Sequence, residues 1–493
     1  MLWYGYIYYI LTFFSLFVFI SFIVKATYTN SLNYKKIVKN CFFLFFTFFL
    51  FLTLNILTTI YYTLDLYSTF NYLTSTTGLF NYLENSASRY LLDIKLLNIS
   101  LVSIYSFPFI YIFIFITILS LLFCLAYNSN ELITFSAYIV VILLAGYVLF
   151  FTDSMILFFF SYETLLIPSF FILYNFAKTR RCVEAAYLMF FWTQFGALWL
   201  IFGFLYMFFV CNSSLFSTIN DFAFNVFEVN FIFICLLLGF GVKLPIWPFY
   251  GWLPKAHVEA STNFSIFLSG VLVKFAFFGF LKCLLVIQLE PTFYFIYPFL
   301  IIGIVDSVFK LFYQIDLKKL VAYSTVVEMH WLTLCIVSGQ SSLILSGFCM
   351  LISHALLSTN SFLLVDAIAR RFKTRLITEV SGLNFLCPKL FLLCLINLLI
   401  FLGFPGSIMF ISEILFFTFL FDLFPLLYCF LVVLLYLIAP TFVLRTWMNI
   451  LFGTSAYYHK TAPADVSSKE LFTYGLLIVI MFWLGLSWQT FIF

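Results

Sequence analysis

The chain has 493 residues, of which 65% are hydrophobic and only 9% charged; 74 are Phe, and the net charge is +4. A soluble fold holds roughly 25% charge, so this composition excludes one, and no nucleic-acid partner is expected. The apolar stretches are about 20 residues long or more, the length a helix needs to cross roughly 30 Å of hydrocarbon, whereas membrane strands would be shorter and alternating.

In chain order, residues 1–24 have neither a basic start nor a small-residue cleavage site, so they are expected to form a retained helix rather than a signal peptide. The whole pattern predicts an all-α polytopic membrane protein of about fourteen helices. Their centres fall near residues 13, 52, 115, 142, 166, 198, 239, 276, 302, 329, 354, 402, 437 and 481. A polar loop, residues 71–100, separates the second span from the third, and another precedes the last and contains His459. Of the 24 Lys and Arg, 19 fall in loops after odd-numbered spans, among them Lys35, Lys36, Arg180, Arg181, Lys318, Lys319, Arg370 and Arg371. The positive-inside bias then places the odd loops on the matrix or cytoplasmic side and both termini opposite.

Lys243 and Lys274 fall inside apolar spans, as do Glu163 in "FFFSYETLLIPSFF" and Glu413 in "PGSIMFISEILFF". An ionisable group at membrane depth costs several kcal/mol even on lenient scales, and usually faces a protein interior or a water path. Glu328, His330 and His354 add groups that can relay protons. Buried ion pairs that only fix helix packing are the alternative use of the same residues. Lys282 and Lys310 lie near span ends, where snorkelling explains them.

The stretch "GVKLPIWPFYGWLPKAHVEAS" puts Pro245 and Pro248 just after Lys243. Proline removes backbone donors, so the seventh span should be interrupted, and such a break is tolerated only where protein or water satisfies the freed groups. Gly403, Pro405 and Gly406 should break the twelfth span in the same way. Glu163 precedes Pro245 by 82 positions and Glu328 precedes Pro405 by 77. Those intervals suggest an inverted repeat, spans four to eight returning as nine to thirteen. The expected divisions are residues 1–130 (spans one to three with the polar loop), 131–290 (first repeat), 291–450 (second repeat) and 451–493 (loop and final span).

The runs "VKLPIWPFYGWLPKAHVEA", "YETLLIP", "DLKKLVAYS", "ISHALLS", "RRFKTRL" and "FPGSIMFISE" resemble the antiporter-like subunits of respiratory complex I, the proton-pumping NADH:ubiquinone oxidoreductase, from about residue 140 to 450. Glu413 makes the likeness strongest to the subunit 4 type, since subunits 2 and 5 resemble one another in having lysine there. The resemblance implies a fold of fourteen helices, two inverted five-helix repeats and discontinuous helices seven and twelve. Carried over by position, it implies a first half-channel pair of Glu163 and Lys243, a central relay at Lys274 continued by His354, and a path ending at Glu413.

His330, Glu328 and His257 are further candidate members of that relay, His257 serving equally as a helix-end ligand to backbone. Three positions depart from the family pattern: Tyr250 stands for histidine, Ser261 for proline, and Glu328 for histidine with His330 two residues on. Implied partners are the other membrane-arm subunits, especially antiporter-like subunits 2 and 5, and phospholipids such as cardiolipin. The implied location is the mitochondrial inner membrane, with both termini on the intermembrane-space side.

The 11 Cys are scattered without a C-x-x-C, so no metal or iron-sulfur site is expected. No glycine-rich phosphate loop follows a strand pattern. No cofactor is expected in this chain; NADH, FMN, iron-sulfur clusters and ubiquinone would bind other subunits. Two other readings remain, a subunit of a multisubunit cation/proton antiporter and a membrane scaffold.

Overall fold

The computed structural model describes residues 113, 116, 117, 129–177, 179–287, 296–453 and 463–487. The first two expected spans, most of the third, the loop 71–100 and His459 lie outside the described residues. The described residues fall in two compact units, 129–140 in one and 113, 116, 117 and 141 onward in the other. Every candidate site residue belongs to the second.

The described residues are helical, without a strand beyond two isolated bridges, Ser154 to Leu215 and Asp316 to Leu376. Among them, eight helices are long and apolar enough to cross a membrane. The fourth expected span is α1 (Ser129–Phe151). The fifth is bent into α2 (Met155–Thr164) and α3 (Leu166–Asn175). Pro168 accounts for the bend, since its ring cannot accommodate the carbonyl four residues back at Thr164, and the turn at Leu165 follows Glu163 by two residues. The sixth span is α4 (Arg180–Cys211), capped at its start by the Thr179 side chain. A short α5 (Phe216–Asn220) leads to α6 (Val226–Lys243).

α4 and α6 approach closely because small residues face each other. A Cβ on Gly196 would lie 2.9 Å from the Gly239 carbonyl oxygen, and one on Gly239 would lie 2.9 Å from Leu200 Cβ. In lipid, where association rests on packing rather than on expelling water, such small-residue seams let backbones touch.

The seventh span stops at Lys243, as the prolines require, and resumes as α7 (Trp252–Glu259) after a short 3-10 turn at Phe249–Gly251. The eighth runs through α8 (Thr262–Phe267), a π turn at Leu268–Leu272 and α9 (Val273–Ile287). The ninth, tenth and eleventh are α10 (Ile296–Phe312), α11 (Leu317–Val337) and α12 (Ser341–Phe372). A short α13 (Leu383–Leu386) precedes the twelfth span, which is split into α14 (Pro388–Phe401) and α15 (Ile408–Leu423). The thirteenth is α16 (Pro425–Val432), a second π turn at Val433–Ile438 and α17 (Ala439–Phe452). The last is α18 (Ser468–Leu486), opened by a Ser467/Glu470 capping box.

The second break needs glycine for two separate reasons. Gly403 and Gly406 have φ of +70° and +90°, a region costly for any residue with a Cβ. A Cβ at Gly403 would also strike the Glu413 carboxylate. Ser407 restarts the helix by accepting from Phe410 N–H at 3.3 Å. Helices α8, α9, α11 and α12 are buried nearly throughout, whereas α4 exposes Phe191, Phe195, Phe202 and Phe209. The core therefore lies around spans eight, ten and eleven.

One tightly packed position gives a direct test. Gly239→Val should force α4 and α6 apart at a cost of about 1–3 kcal/mol. Native electrophoresis of membranes should show less of the assembled protein, and an unchanged amount would contradict the close packing.

Candidate functional site

The two helix breaks each present an ionisable side chain next to irregular backbone. Lys243 is the last residue of α6, and its Nζ lies 3.8 Å from Glu163 Oε1 on α2. The amine also donates to the Tyr162 carbonyl at 3.1 Å and sits 3.3 Å above the Tyr162 ring. The other Glu163 oxygen accepts from Gln194 Nε2 at 2.8 Å. Both charged side chains are largely buried, 12% and 18% exposed. The pairing expected of these two residues is thus met in space, with an amide and an aromatic face added.

Lys274, His354 and Glu328 lie side by side, with a hydrogen bond at the first contact and an approach without one at the second. Lys274 Nζ lies 2.5 Å from His354 Nδ1, and the opposite ring nitrogen, Nε2, lies 3.5 Å from Glu328 Oε2. The amine also donates to the Ser269 carbonyl within the π turn, where the i+5 pattern displaces backbone groups from their usual register. All three side chains are buried. Three helices, α9, α12 and α11, contribute one group each.

Glu413 on α15 is buried against Gly403 of the break, and accepts from the Tyr436 hydroxyl at 2.7 Å. Tyr436 belongs to the second π turn. No hydrogen bond or ion pair joins these three groups to one another among the described residues.

His257 on α7 is buried and stacks on Phe362, with centroids 4.8 Å apart. Among the described residues neither of its ring nitrogens has a hydrogen-bond partner, so none of their carbonyls is held by it. His330 differs in that both its nitrogens are engaged by backbone, Nε2 accepting from Trp247 N–H and Nδ1 donating to the Val326 carbonyl, each at 2.8 Å. Of the two candidates on span ten, Glu328 is therefore the one that faces the row.

Two lysines depart from their expected settings. Lys282 does not snorkel: it is buried, donates to the Thr152 carbonyl at 2.5 Å and lies 5.2 Å from the Phe216 ring centroid. A carbonyl at the end of α1 and aromatic faces satisfy it better than extension along the helix would. Lys318 is also buried, and donates to the Ala260 carbonyl at 2.5 Å. Lys310 stays half exposed at the rim of a cavity of about 310 Å³, paired with Asp306 at 2.8 Å and bonded to the Tyr250 hydroxyl. That cavity opens beside the first break, between Trp192, Trp247, Lys255 and Tyr323.

Gln194, Tyr162 and Tyr436 were not singled out from the sequence. Gln194 carried a usable signal, a lone amide in a 32-residue apolar helix. The two tyrosines carried none, since the chain contains 31. Among the described residues no cluster of three or more His, Cys, Asp or Glu could hold a metal ion.

Residues 152–439 match the family described as the NADH:quinone oxidoreductase/Mrp antiporter transmembrane region. The chain belongs to that family. A relative named NADH-ubiquinone oxidoreductase chain 4, from Paramecium tetraurelia, is 37% identical over 343 residues, covering 69% of this chain and 71% of its own length. In structure, the chain is similar to one in the Mrp complex of Dietzia sp. DQ12-45-1b, with a TM-score of 0.68, 15% identity and coverage of 78% and 81% of the two chains. It is also similar to one in respiratory complex I of Thermus thermophilus with bound NADH, with a TM-score of 0.66, 20% identity and coverage of 78% and 82%. These likenesses establish the family's membrane antiporter-like fold for the chain.

The hydroxyl on Glu413 can be tested separately from the carboxylate. Tyr436→Phe removes one charge-assisted hydrogen bond, worth about 1.5–3 kcal/mol, while keeping the ring. Proton-coupled turnover of the assembled protein should fall by about tenfold or more, and turnover equal to the parent's would show that the bond has no part in it.

Proposed function

We propose that this chain is a proton-translocating membrane subunit of NADH:ubiquinone oxidoreductase, moving protons along buried Glu, Lys and His side chains while electron transfer proceeds in other subunits. The observation that carries it is the row Lys274–His354–Glu328, three proton-exchanging groups brought together from spans eight, eleven and ten. The 37% identity to a chain 4 relative favours this reading over the antiporter alternative. The likeness to the Mrp complex keeps a subunit of a multisubunit cation/proton antiporter as the second reading. Co-purification with flavin and iron-sulfur subunits would separate them.

The chemistry needs no cofactor in this chain. Glu163 and Lys243 attract by about 4 kcal/mol at a separation near 4 Å and an effective dielectric of 20. Parting them removes that attraction and lets the ammonium pass its proton onward. At the row, the Lys274 ammonium gives a proton to His354 Nδ1 as Nε2–H releases one to the Glu328 carboxylate, so the imidazole ends neutral with its tautomer exchanged. Glu413, bonded by Tyr436, is the terminal acceptor. His257, buried with two free nitrogens, stands beside the path as a further acceptor.

The finer architecture belongs to the same proposal: fourteen helices, with spans four to eight and nine to thirteen as inverted repeats. Pro245 and Pro405, in the two breaks, are 160 residues apart, and the π turns beginning at Leu268 and Val433 are 165 apart. Interrupted and π-wound spans thus recur in the same order in both halves. NADH, FMN, iron-sulfur clusters and ubiquinone would be held by partner subunits, among them antiporter-like subunits 2 and 5, with cardiolipin at the lipid face. The location proposed is the mitochondrial inner membrane, both termini facing the intermembrane space.

Glu413→Gln keeps the volume and hydrogen bonding of the side chain and removes its exchangeable proton. In the assembled complex, reconstituted in vesicles, it should cut coupled turnover and pumping by about tenfold or more, with assembly and the flavin-site reaction normal. An unchanged proton-to-electron ratio and rate would show that Glu413 only holds helices together.

A further inference from the structure

We infer that His330 is a positioning residue that holds the interrupted seventh span in place, and that it carries no proton itself. The inference rests on the proposed translocation for its readout and on the backbone donors of the break for its geometry.

After Leu244, whose N–H keeps its helical acceptor, the chain leaves helical geometry as far as Phe249, and each N–H there needs a new acceptor. Leu244 N–H is accepted by the Phe240 carbonyl at 2.8 Å, Ile246 N–H by Gly241 at 3.0 Å and Phe249 N–H by Ile246 at 2.7 Å. Pro245 and Pro248 have no N–H. Only Trp247 remains, and its donor meets His330 Nε2 at 2.8 Å. A side chain from span ten therefore closes the one gap that local backbone leaves open in span seven.

The partner of the other ring nitrogen fixes the protonation state. Nδ1 lies 2.8 Å from the Val326 carbonyl, one helical turn back, and must donate to it. Nε2 is then the acceptor, and the ring is the neutral Nδ1–H tautomer. A proton added at Nε2 would point at the Trp247 N–H, donor against donor, and would open the bond that completes the break. Carrying a proton and holding Trp247 are incompatible at this site.

The surroundings are shaped for that contact. His330 is fully buried, and Gly303 on α10 leaves the space it occupies: a Cβ there would strike the imidazole and come within 2.8 Å of Trp247 Cβ. The same helix, α11, holds the far end of the displaced piece. Lys318, twelve residues before His330, donates to the Ala260 carbonyl, and Arg375, paired with Asp316 at 2.6 Å, donates to the Val258 carbonyl at 3.0 Å. Twelve residues of helix span about 18 Å, so α11 braces the segment from Trp247 to Ala260 at both ends.

The test uses the assembled complex in vesicles and four variants. His330→Gln places an amide oxygen where Nε2 accepts but cannot exchange a proton as imidazole does; His330→Leu leaves the Trp247 donor bare; Gly303→Ala crowds the ring; Lys274→Met controls for translocation by the chain. The expected result is pumping within about threefold of the parent for His330→Gln, with its pH profile unchanged, and losses of about tenfold or more for His330→Leu and Gly303→Ala. Loss of assembly or of pumping by more than about tenfold in His330→Gln would overturn the inference, as would normal pumping in His330→Leu or in Gly303→Ala. Normal pumping in Lys274→Met would instead overturn translocation by the chain, a separate failure.

Discussion

A helix that stops inside a bundle must find acceptors and donors for the groups it frees, and everything else at this site follows from how that is done twice. In hydrocarbon each unsatisfied backbone group costs several kcal/mol, so a break survives only where neighbouring elements converge on it. At the first break the convergence comes from α2, α4, α10 and α11, and it brings Glu163, Gln194 and His330 to a short stretch of span seven. At the second it comes from α15 and from α18, whose Gly485 lies so close that a Cβ would strike the Gly406 carbonyl. The polar groups are there because the backbone is open, and the backbone can stay open because they are there.

The two breaks are solved differently. Both contain proline, but the first is completed by borrowed side chains, whereas the second adds two left-handed glycines and leaves its carboxylate held by a tyrosine. A buried amide network, Asn360 to Asn397 at 2.8 Å and Asn397 to Ser361 at 3.0 Å, ties span eleven to the first half of span twelve. Span eleven thereby carries His354 to the row and anchors the second break as well. The same helix also meets the resumed half of span seven, where Phe362 stacks on His257.

Much of this was legible in the residues. Proline and glycine chemistry located both interruptions, because no compensation restores an N–H that proline lacks or admits a Cβ at Gly403. Hydropathy located Lys243, Lys274, Glu163 and Glu413, because ionised groups are rare in apolar runs. What the sequence hid was direction. Lys282 stands near a span end, and only the placement of Thr152 and Phe216 turns its amine inward. Glu328 and His330 are two residues apart on one helix, about 200° around its axis, so they face different neighbours. Which of them meets His354 depends on the rotation of α11, which packing sets and periodicity does not. Tyr436 was hidden for a simpler reason: nothing in its local sequence separates it from the other tyrosines.

The central claim is that the buried charges act as coupled proton carriers rather than as isolated anchors, and the Glu163–Lys243 pair tests it most directly. A double-mutant cycle on proton pumping by the assembled complex would compare Glu163→Gln, Lys243→Met and both together, with the amount of assembled protein measured for each. The account predicts strong non-additivity, the double variant pumping about as well as the worse single variant, because either change already removes the same switch. Losses that simply multiply, or single variants that pump normally, would contradict it.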